Sequence, residues 1–168
     1  MSVFSVVLAL IKILAITVFA VLAWWDLRDR RLPNCYIGLC IGLYFLGACA
    51  QHALFKGVAL HMLTAILGFI VATAMFRFGW IGGGDVKLVG AVFLWAGPAS
   101  SWIVVCIVSF AGFFLALLML LLARVTSVTQ RSKWSVLHVF EVARGVPYGV
   151  ALACGGVWAV LQPITHII

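Results

Sequence analysis

The sequence predicts an all-α, polytopic membrane protein of about six transmembrane helices with both termini outside. Hydrophobic residues make up 66% of the 168-residue chain, and its mean hydropathy is +1.26, far beyond what a soluble core absorbs. Only eleven basic and four acidic side chains occur, so the apolar runs between them are long. At roughly 20 residues per span plus short loops, this length holds about six spans and leaves nothing for a separate soluble domain. Residues 1–168 are accordingly expected to form one membrane-embedded domain.

The spans fall near residues 3–25, 35–51, 58–76, 85–98, 101–123 and 146–163. The first ends on Trp24 and Trp25, aromatic residues suited to the membrane interface. It carries no basic segment before its apolar run and a cluster of arginines after it, the reverse of a cleaved signal peptide, so it is expected to stay in place. Its one charge, Lys12, either snorkels outward or lines the bundle. Pro33 and Asn34 turn the chain into the second span. Gly38, Gly42, Gly68, Gly90 and Gly112 are expected to permit close helix packing. The fourth span, from Asp85 to Pro98, is short at about 20 Å of helix, so Asp85 and Lys87 are drawn below the membrane surface. Between the fifth and sixth spans, "SKWSVLHVFEVARG" places Trp134, Leu137, Phe140 and Ala143 at helical spacing. That pattern fits either an interfacial amphipathic helix or an ordinary surface helix between spans.

Charge placement orients the bundle. Arg28, Arg30, Arg31, Arg77, Arg124, Arg131, Lys133 and Arg144 all fall in loops on one side, whereas Lys56 alone is basic in the opposite loops. The basic loops are therefore cytoplasmic. The formal net charge of +7 is explained by this asymmetry, and no nucleic-acid partner is inferred from it. The five cysteines form no C-x-x-C pair, and His52, His61, His138 and His166 show no metal-ligand spacing. Neither a metal nor another cofactor is expected.

The four acids are Asp26, Asp29, Asp85 and Glu141. Asp26 closes the first span and Asp85 opens the fourth, which sets two carboxylates at matching depth on the cytoplasmic side. An ionisable residue within a membrane is a functional candidate by default. Other roles stay open: Asp85 also suits a helix cap beside the positive end of a helix dipole, and Asp26 suits an interfacial acid paired with Arg28 or Arg30. The glycine run in "IGGGDVKL" exceeds what one cap needs and would admit an extended peptide backbone. Two facing carboxylates fit aspartic-protease chemistry, in which a shared proton lets one acid activate water while the other polarises the substrate carbonyl.

"GGGDVK", Gly82 to Lys87, resembles the G-x-G-D-x-K signature of the type IV prepilin peptidases. "DLRDRRLPN", Asp26 to Asn34, is similar to that family's first-aspartate segment, and "VPYG", Val146 to Gly149, to a third element in its last span. The three occur in the family's order and cover nearly the whole chain. The resemblance implies an intramembrane aspartyl endopeptidase with Asp26 and Asp85 as catalytic pair. Its expected substrates are prepilin and pseudopilin precursors, cut after a glycine that ends a short basic leader, at the cytoplasmic face of the bacterial inner membrane. Gly82, Gly84 and Lys87 match motif positions, Pro33 and Asn34 match the family's Pro-Asn, and Pro147, Tyr148 and Gly149 match the third element as site-lining residues.

There are departures. Val150 stands where a proline often follows Pro-Tyr-Gly, and the domain with two C-x-x-C pairs that accompanies methyl transfer in many members is not seen. The chain thus looks like the short, peptidase-only form associated with tight-adherence (Flp) pilus assembly. The signature also resembles the presenilin and signal-peptide-peptidase group, but that group's Y-D first motif and Pro-Ala-Leu element do not occur. Two readings from other classes are a small proton-coupled transporter with Asp26, Asp85 and Lys87 as a relay, and a non-catalytic assembly subunit. Oligomeric state is not legible.

Overall fold

A computed structural model describes residues 3–51, 55–125 and 147–163. Helices dominate these residues, and no strand occurs among them: α1 Val3–Asp29, α2 Asn34–Ala50, α3 Phe55–Arg77, α4 Gly83–Val125 and α5 Tyr148–Leu161. The segment predicted as amphipathic, with Glu141 and His138, lies outside the described residues, as do Val146, His52 and His166.

α1 is apolar on every side, as a spanning helix must be, yet only one stripe is buried. Ala15, Val18, Phe19, Leu22 and Asp26 recur at intervals of three and four, the period of one helix face. Asp26 is thus the last residue of the inward stripe. The helix stops at Arg30, whose φ of 53° lies in the left-handed region, where a glycine usually ends a helix.

α2 begins after Pro33 and buries Ile37, Cys40, Tyr44 and Gly47 on one side. The indole N–H of Trp95 donates to the Cys40 carbonyl at 3.1 Å, tying α2 to α4. α3 ends in a paired capping arrangement around Gly79: the Gly79 amide donates to the Phe76 carbonyl at 2.9 Å and the Trp80 amide to the Met75 carbonyl at 3.1 Å. That motif needs a positive φ, and Gly79 supplies one of 74°.

α4 contains 43 residues but is not straight. Unbroken, it would extend about 65 Å, twice the hydrocarbon thickness. Gly97 adopts φ 60° and ψ −177°, and Pro98 follows. Asp85 and Ala116 line one cavity, although 31 helical positions would separate them by about 46 Å, so the chain folds back at Gly97. The two halves, 83–96 and 98–125, are the predicted fourth and fifth spans. With α1, α2, α3 and α5, the described helices thus cover all six predicted segments. α1, α3 and α4 are long and apolar enough to cross a membrane, and α2 and α5 are shorter apolar helices.

The fold-back leaves a carbonyl without its partner, because Pro98 has no N–H to give Leu94. His61 of α3 fills the gap, its Nδ1 donating to the Leu94 carbonyl at 2.9 Å. The carbonyl can only accept, so Nδ1 carries the proton. Tyr44 stacks on the His61 ring and meets Trp95 edge-on, both at 5.6 Å between centroids.

α5 packs against α1 and α4 with glycines at its closest approaches. A Cβ at Gly156 would collide with Phe19 of α1, and one at Gly155 with Val108 of α4. At its far end Lys12 Nζ donates to the carbonyls of Leu161 at 3.1 Å and Gln162 at 3.0 Å. Lys12 therefore faces the bundle and caps α5, satisfying carbonyls that a helix end exposes. Gly68, Gly90 and Gly112 lie against Phe93, Phe69 and Tyr148 as packing glycines, whereas the backbone at Gly38 and Gly42 faces open space. The packing role expected for those two is corrected accordingly.

Candidate active site

Two helix ends and one helix start converge at the site. Asp26, 6% exposed, reaches inward because its stripe on α1 does. The start of α5 covers it so closely that a Cβ on Gly149 would lie 2.8 Å from the carboxyl carbon. The amides of Gly149 and Val150, in the first turn of α5, are within electrostatic reach of this carboxylate, the favourable end of a helix for a negative group. Oδ2 of Asp26 is buried and has no hydrogen-bond partner among the described residues.

Asp85 sits in the first turn of α4, half-buried. Its Oδ2 accepts a hydrogen bond from the Gly82 amide at 3.2 Å, the backward half of a capping box. The helix-cap alternative is therefore real, and it does not compete with a second role, since Asp85 also interacts electrostatically with Asp26. Arg30 reaches both carboxylates electrostatically. Asp26, Asp85 and Arg30 thus act on one another electrostatically, with Gly149 closing over the first.

The three glycines turn out to start a helix. None of Gly82, Gly83 and Gly84 has a positive φ; the left-handed glycine of this turn is Gly79. A Cβ at Gly84 would approach Leu32 at 3.2 Å, so a glycine there lets the α1–α2 connection lie on the first turn of α4. That contact holds the segment bearing Asp26 close to the one bearing Asp85.

A cavity of about 530 Å³ runs from Asp85 between α3, both halves of α4 and α5. Its walls include Val71, Phe93, Gly112, Ala116 and Tyr148. Pro147 is fully buried and precedes α5, and Tyr148 is partly exposed on the cavity side. Lys87 and Asn34 lie elsewhere: Lys87 Nζ donates to Asn34 Oδ1 at 3.0 Å, and both line a second cavity that includes neither carboxylate. Pro33 sets the start of α2 beside them.

Of the two partners the sequence offers for Asp26, Arg28 and Arg30, it is Arg30 that acts on the carboxylate, and it acts on Asp85 as well, which the sequence does not foretell. The left-handed φ of Arg30 has no local signal in "RDRRLP". The role of His61 has no signal in the sequence either, since its partner is a carbonyl 33 positions away.

Residues 13–125, two thirds of the chain, match the model of the type IV leader peptidase family. The match runs from α1 through α4 and takes in both site carboxylates. No curated protein and no solved structure matches the chain. By the match over residues 13–125 the chain belongs to the type IV leader peptidase family, whose members are aspartic-type membrane endopeptidases acting on prepilins.

Proposed function

We propose that Asp26 and Asp85 form the catalytic pair of this peptidase, acting at the cytoplasmic face of a bacterial inner membrane. The observation that carries the proposal is the placement of two carboxylates on separate helices whose ends the Leu32–Gly84 approach holds together, one of which opens a groove. Two carboxylates so placed hold one proton between them. The ionised member takes a proton from water as its oxygen attacks the scissile carbonyl, and the protonated member donates to that carbonyl oxygen, giving a gem-diol; the first member then passes its new proton to the leaving nitrogen as the C–N bond breaks, and the second recovers its proton from a diol hydroxyl. The bare Oδ2 of Asp26 is available to water or substrate, while Oδ2 of Asp85 is held by the Gly82 amide.

The precursor's apolar segment would lie along the cavity from Asp85 toward Phe93, its extended leader crossing the carboxylates toward the cytoplasm. Expected substrates are prepilin and pseudopilin precursors of the tight-adherence (Flp) kind, cut after the glycine that ends a basic leader. Gly82 and Gly84 shape the mouth, and Pro147, Tyr148 and Gly149 line it. Lys87, Pro33 and Asn34 support the fold beside it. Residues 1–168 act as a single membrane-embedded domain.

The test is cleavage by purified protein of a pilin-like precursor with a glycine-ended leader. Wild type should release the leader. Asp26→Asn and Asp85→Asn should each lower the rate by 1,000-fold or more, on the order of the loss of an acid-base group plus transition-state electrostatics. Asparagine at 85 keeps an oxygen for the Gly82 amide, so that variant should remain folded. Cleavage surviving either substitution removes that residue from the pair.

A further inference from the structure

Asp85 and Lys87 are two positions apart on α4, so their side chains leave the helix about 200° apart. Each charge opens its own cavity. The Asp85 groove has been described. The Lys87 groove, about 540 Å³, runs between α2, α3 and the first half of α4. Ile37, Ile41, Phe45, Ile66 and Leu94 make its walls apolar, with Asn34 and Lys87 at one end.

We propose that this second groove binds an anionic phospholipid, one acyl chain along its apolar length and the phosphate at Lys87 and Asn34. Three features commit it to that occupant. From Asn34 to Phe45 the groove follows eleven helical steps, about 16 Å, which is one leaflet of a hydrocarbon core roughly 30 Å thick. The cationic end lies beside the helix starts that bear Asn34 and Asp85, at the end of the bundle that carries the arginine cluster. Beside it, and sharing Asn34, is a polar pocket of about 610 Å³ whose charged residues are Arg28, Arg31 and Asp29, so the net charge facing a headgroup is positive.

The wall itself is open where a helix contact would close it. A Cβ at Gly38 meets nothing within 4 Å, so this glycine widens the groove. A substrate segment placed here would be separated from both carboxylates by α4, because neither lines the cavity. Lys87 donates to Asn34 through one of three N–H bonds, which leaves two for phosphate oxygens.

Native mass spectrometry of the full-length protein, delipidated and then offered phosphatidylglycerol or phosphatidylcholine in detergent, tests this without any peptide substrate. Wild type should retain one phosphatidylglycerol at least tenfold more strongly than phosphatidylcholine. Lys87→Gln should abolish the preference. Gly38→Leu fills the groove and should abolish retention of both lipids, while Gly38→Ala should bind as wild type does; an unchanged unfolding temperature for both Gly38 variants separates occlusion from misfolding. Equal retention of the two lipids, or undiminished retention by folded Gly38→Leu, overturns the proposal. So does preferential cross-linking of a precursor's apolar segment, rather than lipid, to Ile66→Cys. Lipid retention is read without cleavage, so its outcome is independent of the assignment of Asp26 and Asp85.

Discussion

At Gly149 a side chain would stand 2.8 Å from the carboxyl carbon of Asp26. Neither side can yield easily, because one is helix backbone and the other a buried carboxylate on a packed helix. Gly149→Ala should therefore displace Asp26 and lower the cleavage rate by about 100-fold, the scale of an ångström-level misplacement, while circular dichroism in detergent still reports the helical fold. Wild-type activity in that variant would place substrate chemistry away from Asp26. Arg30 belongs to the same scale. A non-glycine residue in the left-handed region costs about 1 kcal/mol, and here the strained residue is the one whose charge reaches both carboxylates. Asp26 and Asp85 were legible in the sequence because a membrane makes every carboxylate conspicuous. Arg30 was legible only as one of two candidate partners of Asp26, since what distinguishes it from Arg28 is a backbone angle.

Among the elements, α4 shows how a proline can be used twice. Pro98 ends one span, and by withholding its N–H it frees the Leu94 carbonyl for His61 on α3. His61→Phe keeps a ring in the space but leaves that carbonyl unpaired, and it should lower stability by about 1–3 kcal/mol, measured by thermal unfolding in detergent. Gly97→Ala should cost more, since its φ of 60° disfavours a side chain and the added methyl would strike the His61 ring. Combining Gly97→Ala with His61→Ala should relieve the collision but not the backbone strain, a departure from additivity that marks direct contact. Additive effects would mean that the two residues do not touch. The break itself was readable, because Pro98 bounded the fourth span. The histidine was not, because its role is set by a missing donor on another helix. For Lys12 the sequence left two roles open, and the one that holds, facing the bundle, is decided by an α5 carbonyl 149 positions away, a distance at which no periodicity operates.

For the molecule as a whole, the apolar runs and the charges between them were enough to order the spans, because lipid leaves few alternatives to apolar helices, and the charge asymmetry predicts their direction. What it could not supply was lateral arrangement: which helices are neighbours, and that Asp85 and Lys87 open on separate grooves. Those depend on side-chain fit at glycines such as Gly155 and Gly156, whose partners are distant in sequence. The orientation can be checked with membrane-impermeant thiol labelling in a background lacking the five native cysteines. Gln51→Cys, after α2, should react from outside intact cells, and Trp80→Cys, between α3 and α4, only after permeabilisation. Labelling of Trp80→Cys in intact cells would invert the molecule and move both carboxylates to the outer face.

The helices that meet over Asp26 and Asp85 are unequal in length. α5 has 14 residues, about 21 Å, and the first half of α4 is equally short, whereas α1 with 27 residues would reach about 40 Å. Short helices packed beside long ones create hydrophobic mismatch, which a bilayer relieves by thinning locally. The membrane surface should therefore sink toward the carboxylates, so that the elasticity of the surrounding lipid, as much as the protein, determines how easily water arrives for hydrolysis.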